Sequence, residues 1–348
     1  MANVTKPIVL DETLKETNEI LKEALKSAES LILVSTDGGE TYGDPITPAM
    51  WLALIEDDEY EPGTIFKITK IFNGKTMRFI VLGTHHDVLS NTDAGEVEPS
   101  GETAHITLQF YDMPFGKVNL GLPYEEEKTG NVRCNADRDT DISDCPEVTI
   151  DPIYPSNMHG YHSAVGLRQA EQAAYDGLAP WLKAAIKTVR KDIFIPEIDD
   201  GDNYEMFDST STVIAMENDR YGSQVDCKMF SLSAAEVGII PNPSDNGSDP
   251  FPYRVNAPVY DEDLDEEVMT PTNLEGHKYA LFTETYAFTS EQEGQRKRPR
   301  YWKDELWYYW LRSPYVLDSD GWGRVRRDGV VDDLSTYYGG GVAPAFCI

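Results

Sequence analysis

A chain of 348 residues, 40% of them hydrophobic, has apolar material for one large core or two smaller ones. Its formal net charge of -31 and pI near 4.4 exclude a surface for nucleic acid or anionic membrane, which needs dense basic patches. The segment Met1 to Lys6 lacks the apolar stretch of a signal peptide, and no apolar run is long enough to span a bilayer, so cytoplasmic synthesis is expected.

The first predicted element runs from Asp11 to Val34. Asp11 can cap a helix, and Leu14, Leu21, Ala24, Ala28 and Leu31 recur at helical spacings. This pattern fits a helix packed on its own domain. It equally fits a short coiled coil joining copies of the chain, with Thr17 interrupting the seam. A loop comes next, punctuated by Gly and Pro from Asp37 to Pro48, and then a short apolar helix from Ala49 to Ile55. Thr64 to Phe72 and Thr76 to Gly83 read as strands joined at Asn73-Gly74, a hairpin pair, and Ala104 to Met113 reads as another strand.

Between these strands lies Thr84-His85-His86-Asp87. Two histidines and an aspartate are metal-ligand types, but neighbours on an extended strand point to opposite faces. They are therefore read as structural polar residues at a strand end. In the polar stretch from Tyr124 to Pro155, Asn135, Asp137, Asp139 and Asp141 alternate as oxygen ligands do in calcium loops. That stretch lacks the Gly and the final Glu of an EF-hand loop. The four cysteines, Cys134, Cys145, Cys227 and Cys347, have no metal-site spacing; a bridge between Cys134 and Cys145 is open.

Ser163 to Tyr175 and Ala179 to Val189 form a predicted helix pair, with Leu167, Ala170 and Ala174 on one apolar face and Leu182, Ile186 and Val189 on the other. Cys227 to Val237 reads as a strand entering a short helical turn. Residues 240–274, dense in Pro, Asn, Asp and Glu, read as a surface insertion, and Arg296 to Arg300 as a solvated basic turn.

The stretch from Trp307 to Ile348 is unlike the rest. Trp310-Leu311-Arg312-Ser313-Pro314 and Gly341-Val342-Ala343-Pro344-Ala345-Phe346 bracket a middle rich in Tyr, Asp, Ser, Gly and Arg, with Asp328-Gly329 as a hairpin turn. Glu, Gln, Lys and Met make up roughly a sixth of the chain yet are missing here. Tyr offers large contact area at low entropic cost, and Ser and Gly adapt, so this is the chemistry of a paratope. An ordinary terminal hairpin with a wet Tyr and Arg face is the plainer alternative.

The frame W-L-R-S-P … V-x-x-D-G-V … G-V-x-P-A-F resembles the C-terminal signature of a domain family of unknown function from Gram-positive gut bacteria and their phages. That family is similar to C-type-lectin-like domains, to the variable proteins of diversity-generating retroelements and, more distantly, to formylglycine-generating-enzyme-like folds. Adenine randomisation in such variable proteins cannot produce Glu, Gln, Lys, Met or Trp, so Trp307, Trp310 and Trp322 would be frame positions. The family usually has Arg where this chain has Ala343, which removes any salt bridge that Arg would make. Further blocks in the same order resemble it: G-T-I-F-K-I with N-G-K-T-M-R-F-I-V-L-G, the helix pair, and C-K-M-F-S-L-S-A-A-E-V. The opening A-N-V-T-K-P-I-V-L-D-E-T resembles the start of phage structural proteins.

The resemblance implies an α+β, C-type-lectin-like domain over residues 62–348 with an insertion near 240–274, preceded by an N-terminal helical or assembly segment over 1–61. The expected function is non-enzymatic binding of a host-surface protein, glycan or other external macromolecule by a virion-associated or cell-surface-exposed homo-oligomer, such as a trimer. The candidate contact residues are Tyr308, Tyr309, Tyr315, Val316, Asp318, Arg324, Arg326, Asp332, Asp333, Tyr337 and Tyr338; Trp310, Trp322 and Pro344 would be frame. No nucleophile elbow, Walker loop, dinucleotide fingerprint or zinc-protease helix occurs, and no catalytic residue, metal ligand or cofactor is assigned beyond calcium at the Asp137–Asp141 stretch. Formylglycine-generating relatives use a cysteine pair, whereas Cys347 has no partner close in sequence. The rivals are a purely structural virion protein, such as a head decoration, and a metal-dependent enzyme built on His85 and His86.

Overall fold

The computed structural model describes residues 30–90, 101–120, 164–194, 222–240, 251, 253–255, 259–261, 266–268, 271–273, 275–289, 297–315, 321–335 and 338–348. In chain order the elements begin with strand β1 (Ile32–Ser35), helix α1 (Pro48–Glu56), and strands β2 (Ile65–Phe72), β3 (Lys75–Thr84), β4 (Ile106–Phe110) and β5 (Phe115–Val118). Helices α2 (Val165–Gly177) and α3 (Pro180–Ala185) come next, then β6 (Val189–Phe194) and β7 (Gly222–Cys227). Within residues 240–274 come β8 (Tyr253–Val255), β9 (Val259–Asp261), β10 (Glu266–Val268) and β11 (Pro271–Asn273). The C-terminal part holds β12 (Arg300–Trp302), β13 (Glu305–Trp307), β14 (Tyr309–Pro314), β15 (Gly321–Val325), β16 (Val331–Ser335), β17 (Gly340–Val342) and β18 (Ala345–Cys347).

The class is mixed α+β, mostly sheet. One five-stranded sheet runs β1-β2-β3-β4-β18 and a second runs β16-β15-β14-β17-β5. Every pairing within them is antiparallel except β14 with β17. Smaller antiparallel pairs join β6 to β7, β12 to β13, β8 to β11 and β9 to β10, the last two nested in the insertion. No helix among the described residues is long and apolar enough to cross a membrane.

Period-two alternation decides which side of the first sheet each residue serves. Phe66, Phe79, Val81, Leu108, Phe110 and Phe346 share one buried cluster with Trp51 and Ile55 of α1 and Leu182 of α3. Their neighbours Ile65, Ile80, Leu82, Ala345 and Cys347 belong to a second cluster with Trp310, Trp322 and Val325 of the second sheet. Both faces of the first sheet are therefore covered, and every residue of β4 is buried. Trp51 packs edge-on against Phe66 at 5.2 Å and Trp181 at 5.8 Å, and such pairs contribute about 0.5–1.5 kcal/mol beyond area burial. Helix α1 starts where Thr47 accepts a hydrogen bond from the Met50 N–H at 3.3 Å, with Pro48 in the first turn.

The Asn73-Gly74 hairpin forms as expected, with both residues at positive φ, 46° and 75°. The stretch expected to stay helical to Val34 does not. Ile32 to Ser35 is a strand paired with Ile65 to Ile68, because an apolar run with β-branched residues finds an open sheet edge there. Residues 11–29, which carry most of the predicted seam, lie outside the described residues. Since β1 and α1 are built into the first sheet and its core, a boundary at residue 62 does not separate 32–61 from the strands β2 and β3. The second predicted helix is also shorter: α3 stops at Ala185, and Val189 begins β6.

At the C-terminus the run from Val342 to Phe346 is divided between two sheets. β17 closes the second sheet, the chain turns at Ala343-Pro344, and β18 enters the first sheet beside β4. Gln109 Nε2 donates to the Ala343 carbonyl at 2.9 Å, and Phe110 N to the Pro344 carbonyl at 3.0 Å, so the crossing itself is pinned.

Candidate functional site

The signature Arg312-Ser313 sits in the middle of a buried polar network. Arg312 bonds to Glu236 Oε2 at 2.5 Å and to the carbonyls of Ser231 at 3.0 Å, Asp192 at 3.1 Å and Glu275 at 2.8 Å. Ser313 Oγ accepts from Ala234 N at 2.7 Å and donates to the Glu275 carboxylate. Ser233 and Glu236 form a reciprocal capping box, Glu236 N to Ser233 Oγ and Ser233 N to Glu236 Oε2, both at 3.0 Å. Lys191 Nζ then reaches Glu236 Oε1 at 2.7 Å, Tyr279 OH at 2.8 Å, and the Asp87 carboxylate. Asp87 also accepts from Tyr279 OH at 2.9 Å, from Cys347 Sγ at 3.3 Å and from the Thr107 hydroxyl.

Two cations, Lys191 and Arg312, thus face two anions, Asp87 and Glu236, all at most 3% exposed. Burial alone would raise the carboxyl pKa values, but Lys191 and His86 hold Asp87 below its ordinary range, and Arg312 and Lys191 do the same for Glu236. For Lys191, burial works downward and is outweighed by Asp87 and Glu236, which raise its pKa. Burial and the Asp87 charge push the Cys347 thiol well up, and burial also raises Cys227, which favours the thiol form of both. The network ties β6, the turn after β7, β14 and β18 together.

This arrangement has a pH signature. Carboxyls held low when folded stabilise the native state above their unfolded pKa near 4, and that stabilisation is withdrawn as pH falls through the folded values. The urea midpoint should therefore fall as the pH drops below about 4 and go on falling toward the folded values. The double substitution Asp87→Asn with Lys191→Met should flatten that slope, and an identical slope in both proteins would contradict the assignment.

A second arrangement lies at the β12–β13 hairpin and the adjoining strands, where Trp302, Trp307, Tyr308 and Arg324 are half-buried, Arg326 is exposed and Asp332 is buried. Trp302 and Trp307 meet across the β12–β13 hairpin at 5.5 Å, and Trp307 stacks on Tyr308 at 5.2 Å with 23° between planes. The Arg324 guanidinium lies over Tyr308, 5.3 Å from its centroid, and bonds Asp332 at 2.6 and 3.3 Å. Arg326 adds contacts to Asp332 at 3.5 Å and Asp328 at 2.9 Å. The result is a row of Trp302, Trp307, Tyr308, Arg324, Asp332 and Arg326. It is backed by close packing: a Cβ on Gly116 would come within 1.9 Å of the Trp302 ring, and one on Gly340 within 2.5 Å of Trp310 Nε1.

Of the residues expected to make contacts, Tyr308, Arg324, Arg326 and Asp332 come together. Tyr338 is 47% exposed and adjoins Gly339, whose carbonyl accepts from Tyr308 OH at 2.6 Å. Tyr309 does not belong: it is fully buried, its hydroxyl donating to the Arg298 carbonyl at 3.1 Å. It packs into the core beside its cross-strand partner Val325, while Tyr308, just before β14, is half-buried. Asp333 falls on the opposite face of β16 from Asp332. Tyr315, at the far end of β14 about 20 Å along the strand, packs edge-on to Phe251 at 6.4 Å. Val316, Asp318 and Tyr337 lie outside the described residues, as do Asn135, Asp137, Asp139 and Asp141 and the Cys134–Cys145 pair.

The basic turn read as solvated is also corrected. Arg298 and Arg300 are fully buried. Arg298 donates to the carbonyls of Val237, Thr283 and Gly329 and to Thr285 Oγ1; Arg300 donates to the carbonyls of Lys297, Arg298 and Pro299 and to the Gln109 side chain. Such donor-rich guanidinium groups satisfy backbone acceptors without a carboxylate, and burial pushes the Arg298 pKa down to about 10. Trp302 escapes sequence reasoning because its hairpin turns at Lys303-Asp304, both at positive φ and without the Gly that marks such turns.

His85 and His86 diverge, though not by strand alternation: His85 lies just past β3 at a positive φ of 50°. His86 stacks with Tyr279 at 4.0 Å beside Asp87, while His85 Nε2 lies 2.9 Å from Asp58.

These features define a two-sheet α+β domain whose signature residues form its interior and whose C-terminal strands carry an aromatic and guanidinium face. The chain belongs to the family described as domain of unknown function (DUF6273), whose model matches residues 173–348. No curated protein and no solved structure matches the chain.

Proposed function

We propose that this protein is a non-enzymatic ligand-binding protein with a C-type-lectin-like fold, carried on a phage-type virion, whose C-terminal face engages a host-surface protein or glycan. The observation that carries the reading is the row Trp302, Trp307, Tyr308, Arg324 and Arg326, half-buried aromatic rings beside guanidinium groups on short strands. Aromatic and Arg side chains dominate binding hot spots because they offer large area and directional donors at low entropic cost. The buried network behind them supplies the rigidity that limits ordering costs on binding. The lack of Glu, Gln, Lys and Met from residue 307 onward fits a surface selected for contact and varied within a fixed frame.

The face predicts its own test. Fluorescent protein titrated onto intact Gram-positive gut bacteria should show saturable adsorption. The combined substitution Tyr308→Ala, Arg324→Ala and Tyr338→Ala should weaken it by at least about 30-fold, the equivalent of one hot spot of roughly 2 kcal/mol, with a nearly unchanged melting temperature. Equal adsorption by a folded triple variant would overturn the proposal.

A further inference from the structure

Away from the C-terminal face, three side chains with metal-ligand atoms converge at the rim of the first sheet. Asp58 lies just after α1, His85 just after β3, and His105 just before β4; their ligand atoms lie within 4.8 Å of one another. His85 Nε2 is 2.9 Å from Asp58 Oδ2 and His105 Nδ1 is 3.8 Å from Asp58 Oδ1. We infer that Asp58, His85 and His105 form a surface site for a first-row divalent transition cation of the zinc type.

Four observations carry this. First, His105 Nδ1 is shielded from solvent yet makes no hydrogen bond, although the rest of that side chain is half-exposed. A shielded ring nitrogen that makes no hydrogen bond and lies 3.8 Å from a carboxylate is placed to share a cation with it. Second, the other nitrogen of His85 faces Thr103 Oγ1 at 3.5 Å. Nε2 donates to Asp58 in the absence of an ion; a cation would replace that proton, and Thr103 stands where an outer-shell partner of Nδ1 would be needed. Third, Asp58 and His85 both hold positive φ, 56° and 50°, which costs a non-glycine residue energy and brings these two side chains together. Fourth, the backbone fixes the pair of rings: His85 N donates to the His105 carbonyl at 3.2 Å, and the ring centroids sit 5.6 Å apart.

The donor set selects the cation. Two imidazole nitrogens and one carboxylate suit zinc, copper, nickel or cobalt, whereas calcium and magnesium require oxygen-rich shells. Ligand atoms around a tetrahedral zinc stand about 3.4 Å apart, given bonds of about 2.0–2.1 Å. The histidines lie 2.9 Å from Asp58 Oδ2 and 3.8 Å from Asp58 Oδ1, and the three ligand atoms lie within 4.8 Å of one another, so exposed side chains must draw together by about an ångström to close on an ion. With three protein ligands and solvent-exposed side chains, the remaining positions would be taken by water. A bound ion would clip the end of α1 to the strand ends beside it.

Zinc chloride alone, titrated calorimetrically into the full chain in excess magnesium to occupy the general acidic surface, should bind at one tight equivalent. His85→Ala, His105→Ala and Asp58→Asn should each weaken that binding at least tenfold, while His277→Ala, an exposed histidine outside the cluster, should not. Ring resonances of the unsubstituted protein give a second readout that does not depend on variants folding: zinc should shift His85 and His105 and leave His277 in place. Absence of a tight equivalent, retention of it in the three variants, or ring shifts at other histidines only would each overturn the site and leave an ion-paired cluster.

Discussion

Truncation after Val342 is expected to leave no cooperatively folding protein. The six residues removed include β18, whose Ala345 to Cys347 pair with Thr107 to Gln109 on one side. On its other side β18 is bridged to Phe230 and Lys187, through bonds such as Ala345 N to the Phe230 carbonyl at 2.7 Å and Lys187 N to the Cys347 carbonyl at 2.9 Å. Phe346 is fully buried and meets Phe79 edge-on at 5.5 Å. Loss of a buried Phe side chain alone costs about 3–5 kcal/mol, against a total stability of about 5–15 kcal/mol for a typical domain. Adding an orphaned interior strand exceeds that margin. Circular dichroism during a thermal melt reads the outcome, and a soluble truncation with a sharp transition would contradict the topology.

Arg312→Met is expected to be the most damaging single substitution in the signature. It leaves Glu236 short of one of its two cations and leaves the Ser231, Asp192 and Glu275 carbonyls without that donor, all in an interior closed to water. Breaking a buried ion pair from one side costs about 3–5 kcal/mol. Urea denaturation should show a loss of that size, and Glu236→Gln on top of Arg312→Met should recover part of it because the uncompensated charge is gone. A loss below about 1 kcal/mol, or a double variant no better than the single, would mean that the network contributes little.

The parts of this fold legible in the sequence are those governed by local pattern. Alternation and the Asn73-Gly74 turn place β2 and β3, and Asp328-Gly329 places the β15–β16 hairpin, because turn chemistry acts within a few residues. The two-residue crossing at Ala343-Pro344 is illegible locally, since it depends on which sheet has an open edge. Arg298 and Arg300 look solvated for a similar reason: their partners at Val237, Thr283 and Gln109 are distant in sequence. Composition marks the aromatic stretch but cannot sort it. Tyr308 and Tyr309 are identical as letters, and only the tertiary packing at the start of β14 leaves one half-buried and puts the other in the core. Asp58, His85 and His105 meet through tertiary structure, with only the weaker pairing of His85 and His86 visible beforehand.

The central claim is a division of labour: Trp310, Arg312, Ser313 and Trp322 hold the fold, while Trp302, Tyr308, Arg324, Arg326 and Tyr338 meet the ligand. A single-substitution library over residues 300–348, displayed on cells and sorted separately for resistance to proteolysis and for adsorption to Gram-positive bacteria, measures both properties at every position. Substitutions in the first group should fail both sorts, and those in the second should pass the first sort and fail the second. Substitutions of Tyr308, Arg324 and Tyr338 that pass both sorts would contradict the account.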